Sequence, residues 1–404
     1  DESLLKGLPA TVLQSAREKA KQNDVEGWCF DLTYPSYGPF MKYADNRELR
    51  KELYMAYNTK ALKEDFDNRP IVKEIVNARL ELARLLGYHD YADYELKDRM
   101  AENKSNVYQL LRQLLDAYKP VAKNEIDAVQ EYADKKGADF QIMPWDWSYY
   151  SEKLKDEQYN VNDEMLRPYF ELEKVKKAVF GLATQLYGLK FVENKEIPVY
   201  HPEVNAYEVF DENGDFLAVF YADFHPREGK RGGAWMTEYL CQHVDETGDN
   251  VRPHISIVTN FSRPTDTTPA LLTFDELTTF LHEFGHSIHG MVANTTYSSL
   301  AGTNVFRDFV ELPSQLMENW AFEKEFLDQF AVHYQTGEKI PASLIESIRN
   351  SANFNTGYAT LRQLSFGLLD MAWHTIATPF DGDVMAFEKE AWKEAIIGKQ
   401  LPDT

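Results

Sequence analysis

The 404-residue chain holds 43 Lys and Arg against 65 Asp and Glu, a formal net charge of −22 at pH 7, with 44% hydrophobic and 27% charged residues. A chain this long buries a substantial core without cross-links, about two to three domains of ~150 residues, so disulfide scaffolds and miniproteins are excluded. An acidic average surface repels a phosphate backbone, which argues against nucleic acid, and no stretch approaches the roughly 18 uninterrupted apolar residues of a membrane span.

From Ser3 to Lys135 apolar residues recur at helical steps, and several long helices are predicted. Their apolar runs read as Ile75, Ala78, Leu80, Leu82 and Leu85, then Leu110, Leu111, Leu114, Leu115 and Tyr118. Gly87 is expected to stop one helix and Pro120 to end or kink another, since proline lacks the amide and its ring clashes with the preceding turn. Pro144, Trp145, Asp146 and Trp147 read as an aromatic loop, followed by a helix over about Met165 to Tyr187.

The period then changes. Ala206 to Phe210 and Phe216 to Tyr221 alternate and flank Asn213-Gly214, a turn dipeptide that tolerates positive φ, so a hairpin is predicted. Gly232 to Met236 and His254 to Thr259 complete a small antiparallel sheet, and helical spacing resumes after Pro264. The expected division is 1–195 helical, 196–262 sheet and 263–404 helical. Cys29 and Cys241 lack a CxxC or CxxH neighbour and are expected in the core rather than at a redox or metal site. No basic start and apolar core of a secretory signal opens the chain. Both ends read as mid-protein, so a fragment is expected.

One motif carries chemistry. Residues 282–286 read His-Glu-Phe-Gly-His within TFDELTTFLHEFGHSIHGMV. At about 100° per residue, Leu277, Leu281, Phe284, Ile288, Met291 and Val292 share an apolar arc, while His282, His286 and His289 gather on another side. Imidazoles at i and i+4 converge on one point and suit two corners of a tetrahedral Zn²⁺ site, with Glu283 offset to hold a water. Such a short pattern also arises by chance on a polar helix face. Against that, Gly285 sits mid-helix at a cost of about 0.8–1.0 kcal/mol relative to Ala, which makes sense where another backbone packs closely.

A third ligand is needed. His289 lies about 10.5 Å along the axis from His282, too far for a shared ion, and is expected to pack or to support a ligand. The third histidine of the longer HExxHxxGxxH motif would fall at Val292. Glu311, in RDFVELPSQLMENW, is the best-placed carboxylate, although Asp308 and Glu311 also fit a capping box with Asp308 as N-cap.

HEFGHSIHG followed by SLAGTNVFRDFVELPSQLMENW resembles the thimet oligopeptidase family of zinc metallopeptidases, and within it the bacterial peptidyl-dipeptidase (dipeptidyl carboxypeptidase) branch. PWDWSYY, LRPYFELEKV, LYGLKFVE, IPVYHPEV and FYADFHPREGKRGGAWM extend the resemblance over essentially the whole chain. It implies a mainly α, zincin-like fold: an elongated helical body with a deep substrate channel and a small antiparallel β-sheet beside the active site. It makes His282, His286 and Glu311 the ligands of one Zn²⁺ per chain and Glu283 the general base. It also implies restriction to short peptides, most readily the release of C-terminal dipeptides. The alternatives are endo-acting cleavage and a non-catalytic peptide-binding module. Family members continue into a further segment with a histidine, a glycine-rich loop and tyrosines at the substrate; Tyr358 and His374 are expected to be packing residues rather than substitutes for it.

Further expectations concern the surroundings. Asp308, Ser314, Glu318 and His289 are candidates to orient the ligands. The backbone of Gly232, Gly233 and Ala234 is a candidate to pair with an extended peptide, and Lys230 or Arg231 to take its terminal carboxylate. A monomer without nucleic-acid or membrane partners is expected, cytoplasmic, with the periplasm as the alternative.

Overall fold

The computed structural model describes residues 2–397. The N-terminal helices are α1 (Ala10–Gln22), α2 (Tyr34–Tyr43), α3 (Arg47–Asn58), α4 (Arg69–Leu85), α5 (Tyr91–Leu96), α6 (Lys104–Lys135), α7 (Pro144–Tyr159), α8 (Asp163–Leu166) and α9 (Leu172–Tyr187). Strands β1 (Lys190–Glu193), β2 (Asn205–Phe210), β3 (Phe216–Asp223), β4 (Trp235–Leu240), β5 (His243–Val244), β6 (Asn250–Val251) and β7 (His254–Val258) come next. Helices then return as α10 (Phe274–Met291), α11 (Glu311–Glu318), α12 (Lys324–Leu327), α13 (Ala342–Ser351), α14 (Thr356–His374) and α15 (Val384–Trp392). The fold is mainly α with a small sheet. Backbone contacts group the chain into two units, one from the described parts of 1–8, 37–158 and 352–404, the other from 9–36 and 159–351.

In the first unit, α6 packs along α14. Pro120 lies inside α6 and does not end it, contrary to expectation. Two residues on, α14 packs tightly against α6: a Cβ on Gly357 would meet the Ala122 nitrogen at 2.7 Å, so the two backbones nearly touch. Pro144 to Trp147 are likewise not a loop but the first turn of α7, where a missing amide costs nothing. Of the two apolar runs, Leu80 and Leu115 are buried, but Ile75, Leu82, Leu85 and Leu110 are exposed; α4 buries Val76, Leu80 and Ala83 instead. Asp146 is fully buried and accepts hydrogen bonds from Arg47 (2.8 Å), Arg50 (3.0 Å) and the Met143 amide (3.0 Å).

The second unit is built on a five-stranded sheet of order β1-β2-β3-β7-β4. Its β2–β3 hairpin turns at Gly214 (φ +93°), with the Asp211 carboxylate accepting the amides of Asn213 and Asp215. The sheet is mixed rather than antiparallel throughout, because β4 to β6 intervene between β3 and β7 and bring β7 back parallel to β3. One face carries Val209, Phe220, Ile255 and Ile257 into a core shared with α9 and with Leu277, Phe280, Leu281, Phe284, Ile288 and Met291 of α10. Val292, expected on that apolar arc, follows the last residue of α10 and is exposed. Cys29 and Cys241 are only partly buried, so neither is the core residue anticipated.

Candidate metal and catalytic site

Helix α10 is secured at both ends before any chemistry is considered. Thr273 and Glu276 form a capping box at its start, and the buried Glu276 carboxylate also accepts from the amide and hydroxyl of Ser262. At the far end Arg252 donates to the Met291 and Ala293 carbonyls at 2.8 and 2.9 Å, which satisfies groups a helix terminus leaves open. Its apolar stripe lies on the sheet, and this leaves His282, Glu283 and His286 for α11.

Gly285 is what lets α11 approach. A Cβ there would meet the Ser314 Cα at 2.7 Å and the Pro313 carbonyl oxygen at 2.8 Å, so the mid-helix glycine is explained by a close backbone. At this distance Glu311, the first residue of α11, places Oε2 at 3.1 Å from His282 Nε2 and 3.2 Å from His286 Nε2. Two donors each about 2.1 Å from one tetrahedral ion stand about 3.4 Å apart, so this donor set fits a Zn²⁺-sized ion. His282, His286 and Glu311 are also a group whose ligand atoms all lie within 4.8 Å of one another.

Supporting contacts follow. His282 Nδ1 donates to Glu318 Oε1 at 2.7 Å, which leaves the Nε2 lone pair toward Glu311. Ser314 Oγ lies 2.9 Å from both Glu311 Oε2 and the Glu311 carbonyl oxygen and donates to one of them at a time. Asp308 lies in the exposed stretch ahead of α11 and does not cap it: the N-cap is Val310, with no side-chain capping bond. His289 stands apart from the donor group, and its buried Nδ1 has no hydrogen-bond partner among the described residues.

Electrostatics separate the four central groups. The hydrogen bond that His282 donates to Glu318 holds it above the usual imidazole value, while burial pushes His286 below it against the pull of Glu311. Glu283, only 6% exposed, is pushed up to about 7 by burial, opposed by the His282 charge and helped to a lesser degree by the Glu311 charge. Burial also lowers His289. A carboxyl titrating near neutrality can accept a proton and return it.

The peptide-pairing candidates are placed differently from the prediction. Gly232, Gly233 and Ala234 precede β4 rather than forming it; Gly233 has φ +94° and its carbonyl accepts from Asn260 Nδ2 at 2.6 Å. The edge itself is real, since β4 ends the sheet and pairs only with β7. Lys230 is committed to Asp223 Oδ1 (2.8 Å) and the His225 carbonyl (2.7 Å), so it is not available to a substrate carboxylate. In the other unit Tyr358 stacks on Trp147 and Arg79 meets His374 Nε2 at 2.7 Å, consistent with packing roles. Three residues around α10 were not anticipated: Arg252, Glu238 and Glu276. Only Glu276 had a readable signal, the Thr-x-x-Glu spacing.

The model of peptidase family M3 matches residues 40–397. The chain belongs to peptidase family M3. It is 39% identical over 388 residues to "Oligopeptidase A" of Salmonella typhimurium, covering 95% of this chain and 57% of that protein. Against "Dipeptidyl carboxypeptidase" of Escherichia coli it is 40% identical over 369 residues, 91% of this chain and 53% of the relative. Similarity extends to "Saccharolysin" of Saccharomyces cerevisiae, 35% identical over 387 residues, 92% and 54% of the two chains. This M3 chain therefore spans a little over half the length of these relatives.

Proposed function

We propose that this M3 chain carries the zinc-binding and catalytic residues of a peptidase acting on short peptides. The observation that supports it most is the meeting of His282 Nε2, His286 Nε2 and Glu311 Oε2 at 3.1–3.2 Å beside a buried glutamate. His282, His286 and Glu311 would hold one Zn²⁺; when bound, it would lower the pKa of a water toward ~7 and polarise a scissile carbonyl. Glu283 would take the water's proton and pass it to the leaving amine. Glu318 and Ser314 orient His282 and Glu311, so that less reorganisation is needed when the donors act together.

Elemental analysis of the purified chain tests the first part, with about one Zn per chain expected. Glu283→Gln is expected to keep the metal and lose peptide hydrolysis; full activity in that variant would overturn the assignment of the base. Binding of peptide without turnover, in a protein of the relatives' full length, would point to the non-catalytic module instead.

The finer reading is release of C-terminal dipeptides, in keeping with the E. coli "Dipeptidyl carboxypeptidase" match. Endo-acting cleavage is the second reading, favoured by the engagement of Lys230 with Asp223, which removes a local cation for a terminal carboxylate. Product masses from free-acid and amidated versions of one peptide separate them: dipeptide release that survives amidation counts for the endo-acting enzyme. A monomer in the cytoplasm, with the periplasm as the alternative, is proposed alongside and is checked by sedimentation and by fractionation. No helix among the described residues is long and apolar enough to cross a membrane.

A further inference from the structure

One carboxylate on the core side of the sheet serves no ion pair. Glu238 lies on β4, where the pairing with β7 shifts register between Glu238 and Leu240. Bulges at sheet edges re-aim a side chain, and this one points Glu238 to the last turn of α10 and to the segment after it. No Lys or Arg among the described residues pairs with it. Its Oε1 accepts from the Thr303 amide at 3.3 Å and from the Thr303 hydroxyl at 3.4 Å, and the Cys241 thiol also hydrogen-bonds to the Glu238 carboxylate. A Cβ on Gly290 would meet the same oxygen at 2.7 Å, and a Cβ on Gly302 (φ +53°) would collide with it and come within 3.0 Å of the Gly290 Cα. Two glycines and one acceptor oxygen thus clasp the turn Ala301–Thr303 to the end of α10.

That turn matters for what it leads into. Ala301 and Gly302 are buried, but Asn304, Phe306, Arg307 and Asp308 are exposed, and the stretch runs directly to Glu311. Helix α11 starts without a side-chain N-cap. The Glu311 backbone is therefore held from behind by the Gly285–Ser314 contact and from ahead by the Glu238–Thr303 clasp. We propose that Glu238 is a positioning residue which, by holding Ala301–Thr303 to α10, fixes the segment that delivers Glu311 to the metal site. The clasp stands on its own geometry, and its consequence for the metal rests on the function proposed above.

Two readouts on the full chain test it. Trypsin under native conditions reports opening of the loop through cleavage after Arg307, since proteolysis follows the population of the open form. Glu238→Ala is expected to speed that cut by at least about tenfold, whereas Glu238→Gln stays near wild type because its amide oxygen still accepts from Thr303. Leu80→Ala, in the other unit, is the control for general destabilisation. The clasp is wrong if Glu238→Ala is cut no faster than wild type, or if Leu80→Ala speeds the Arg307 cut equally at the same loss in Tm. In the second readout, chelator competition, Glu238→Ala should bind zinc about tenfold more weakly and Glu238→Gln normally. Unchanged zinc affinity in a loop that does open would overturn the positioning role. A wild-type chain that binds no zinc would sink the metal site and leave the cleavage result to judge the clasp.

Discussion

In α10 against α11, and in α14 against α6, a glycine on one helix lets the backbone of another come close. Gly285 would meet Ser314 Cα at 2.7 Å, and Gly357 would meet the Ala122 nitrogen at the same distance. Around Gly357 the nearest groups are the Ala122 nitrogen, Val121 Cγ1 and Glu125 Oε2, and Glu125 caps α14 by accepting the amides of Gly357 and Tyr358. Around Gly285 the flanking positions are His282, Glu283 and His286, facing Glu311 and Glu318. The packing device is the same in both units. Whether it makes a core or a site depends on which side chains it brings together, and on whether their charge is already balanced.

Charge balance extends the contrast. Asp146 in the first unit is fully buried and neutralised by Arg47 and Arg50. Glu283 in the second is nearly as buried, yet no Lys or Arg among the described residues lies at ion-pair distance from it. A buried charge left without its partner is costly, which is why structural carboxylates are paired and functional ones wait for a ligand or a proton.

The largest expected effect breaks the balanced side. Asp146→Ala strands Arg50, itself 1% exposed, and should cost about 3–5 kcal/mol of unfolding free energy by denaturant titration, while leaving zinc content at that of wild type when folded. Next, Gly285→Ala and Gly357→Ala should each lose about 1–3 kcal/mol from overpacking, but only Gly285→Ala should also lose zinc, read by elemental analysis alongside Tm. Equal zinc loss in both would show that the two glycine contacts do not differ in what they bring together. Glu318→Ala is expected to weaken zinc binding by about 10- to 100-fold in chelator competition, with Tm of the metal-free chain little changed.

A smaller effect concerns pH. Burial alone would raise Asp223, but hydrogen bonds from Arg227 and Lys230 outweigh it and hold its carboxyl below the usual value. Its folded-state pKa is thus depressed, so the stability it contributes is present above the unfolded value of about 3.9 and is lost as pH falls through the folded pKa. Denaturant midpoints between pH 6 and 3 should therefore fall less steeply in Asp223→Asn than in wild type.

Much of the site was readable because it is local. His282, Glu283 and His286 are three positions of one helix, and helical spacing alone turns the two histidines to a common side with Glu283 offset beside them. The mid-helix glycine announced a close neighbour, and Ser314 was the residue found there. Less was readable where spacing is ambiguous. Ile75, Leu82 and Leu85 satisfy a helical period as well as Val76, Leu80 and Ala83, and only the neighbouring helices decided which stripe was buried. The two prolines differ in the same way: Pro144 opens α7, where its missing amide has no partner to lose, whereas Pro120 lies inside α6 and forgoes a hydrogen bond without ending the helix.

By itself, then, the sequence determined the mainly helical class, the helix–sheet–helix order and the pair of histidines flanking a glutamate, all of which follow from periodicities of two and 3.6 residues. Tertiary structure alone decided that β7 runs parallel to β3, that Lys230 is spent on Asp223, and that Glu238 reaches the turn before Glu311. Those depend on which segments, distant along the chain, come to lie side by side. No local period encodes that; it is set by how the apolar faces of α9, α10 and the sheet fit together.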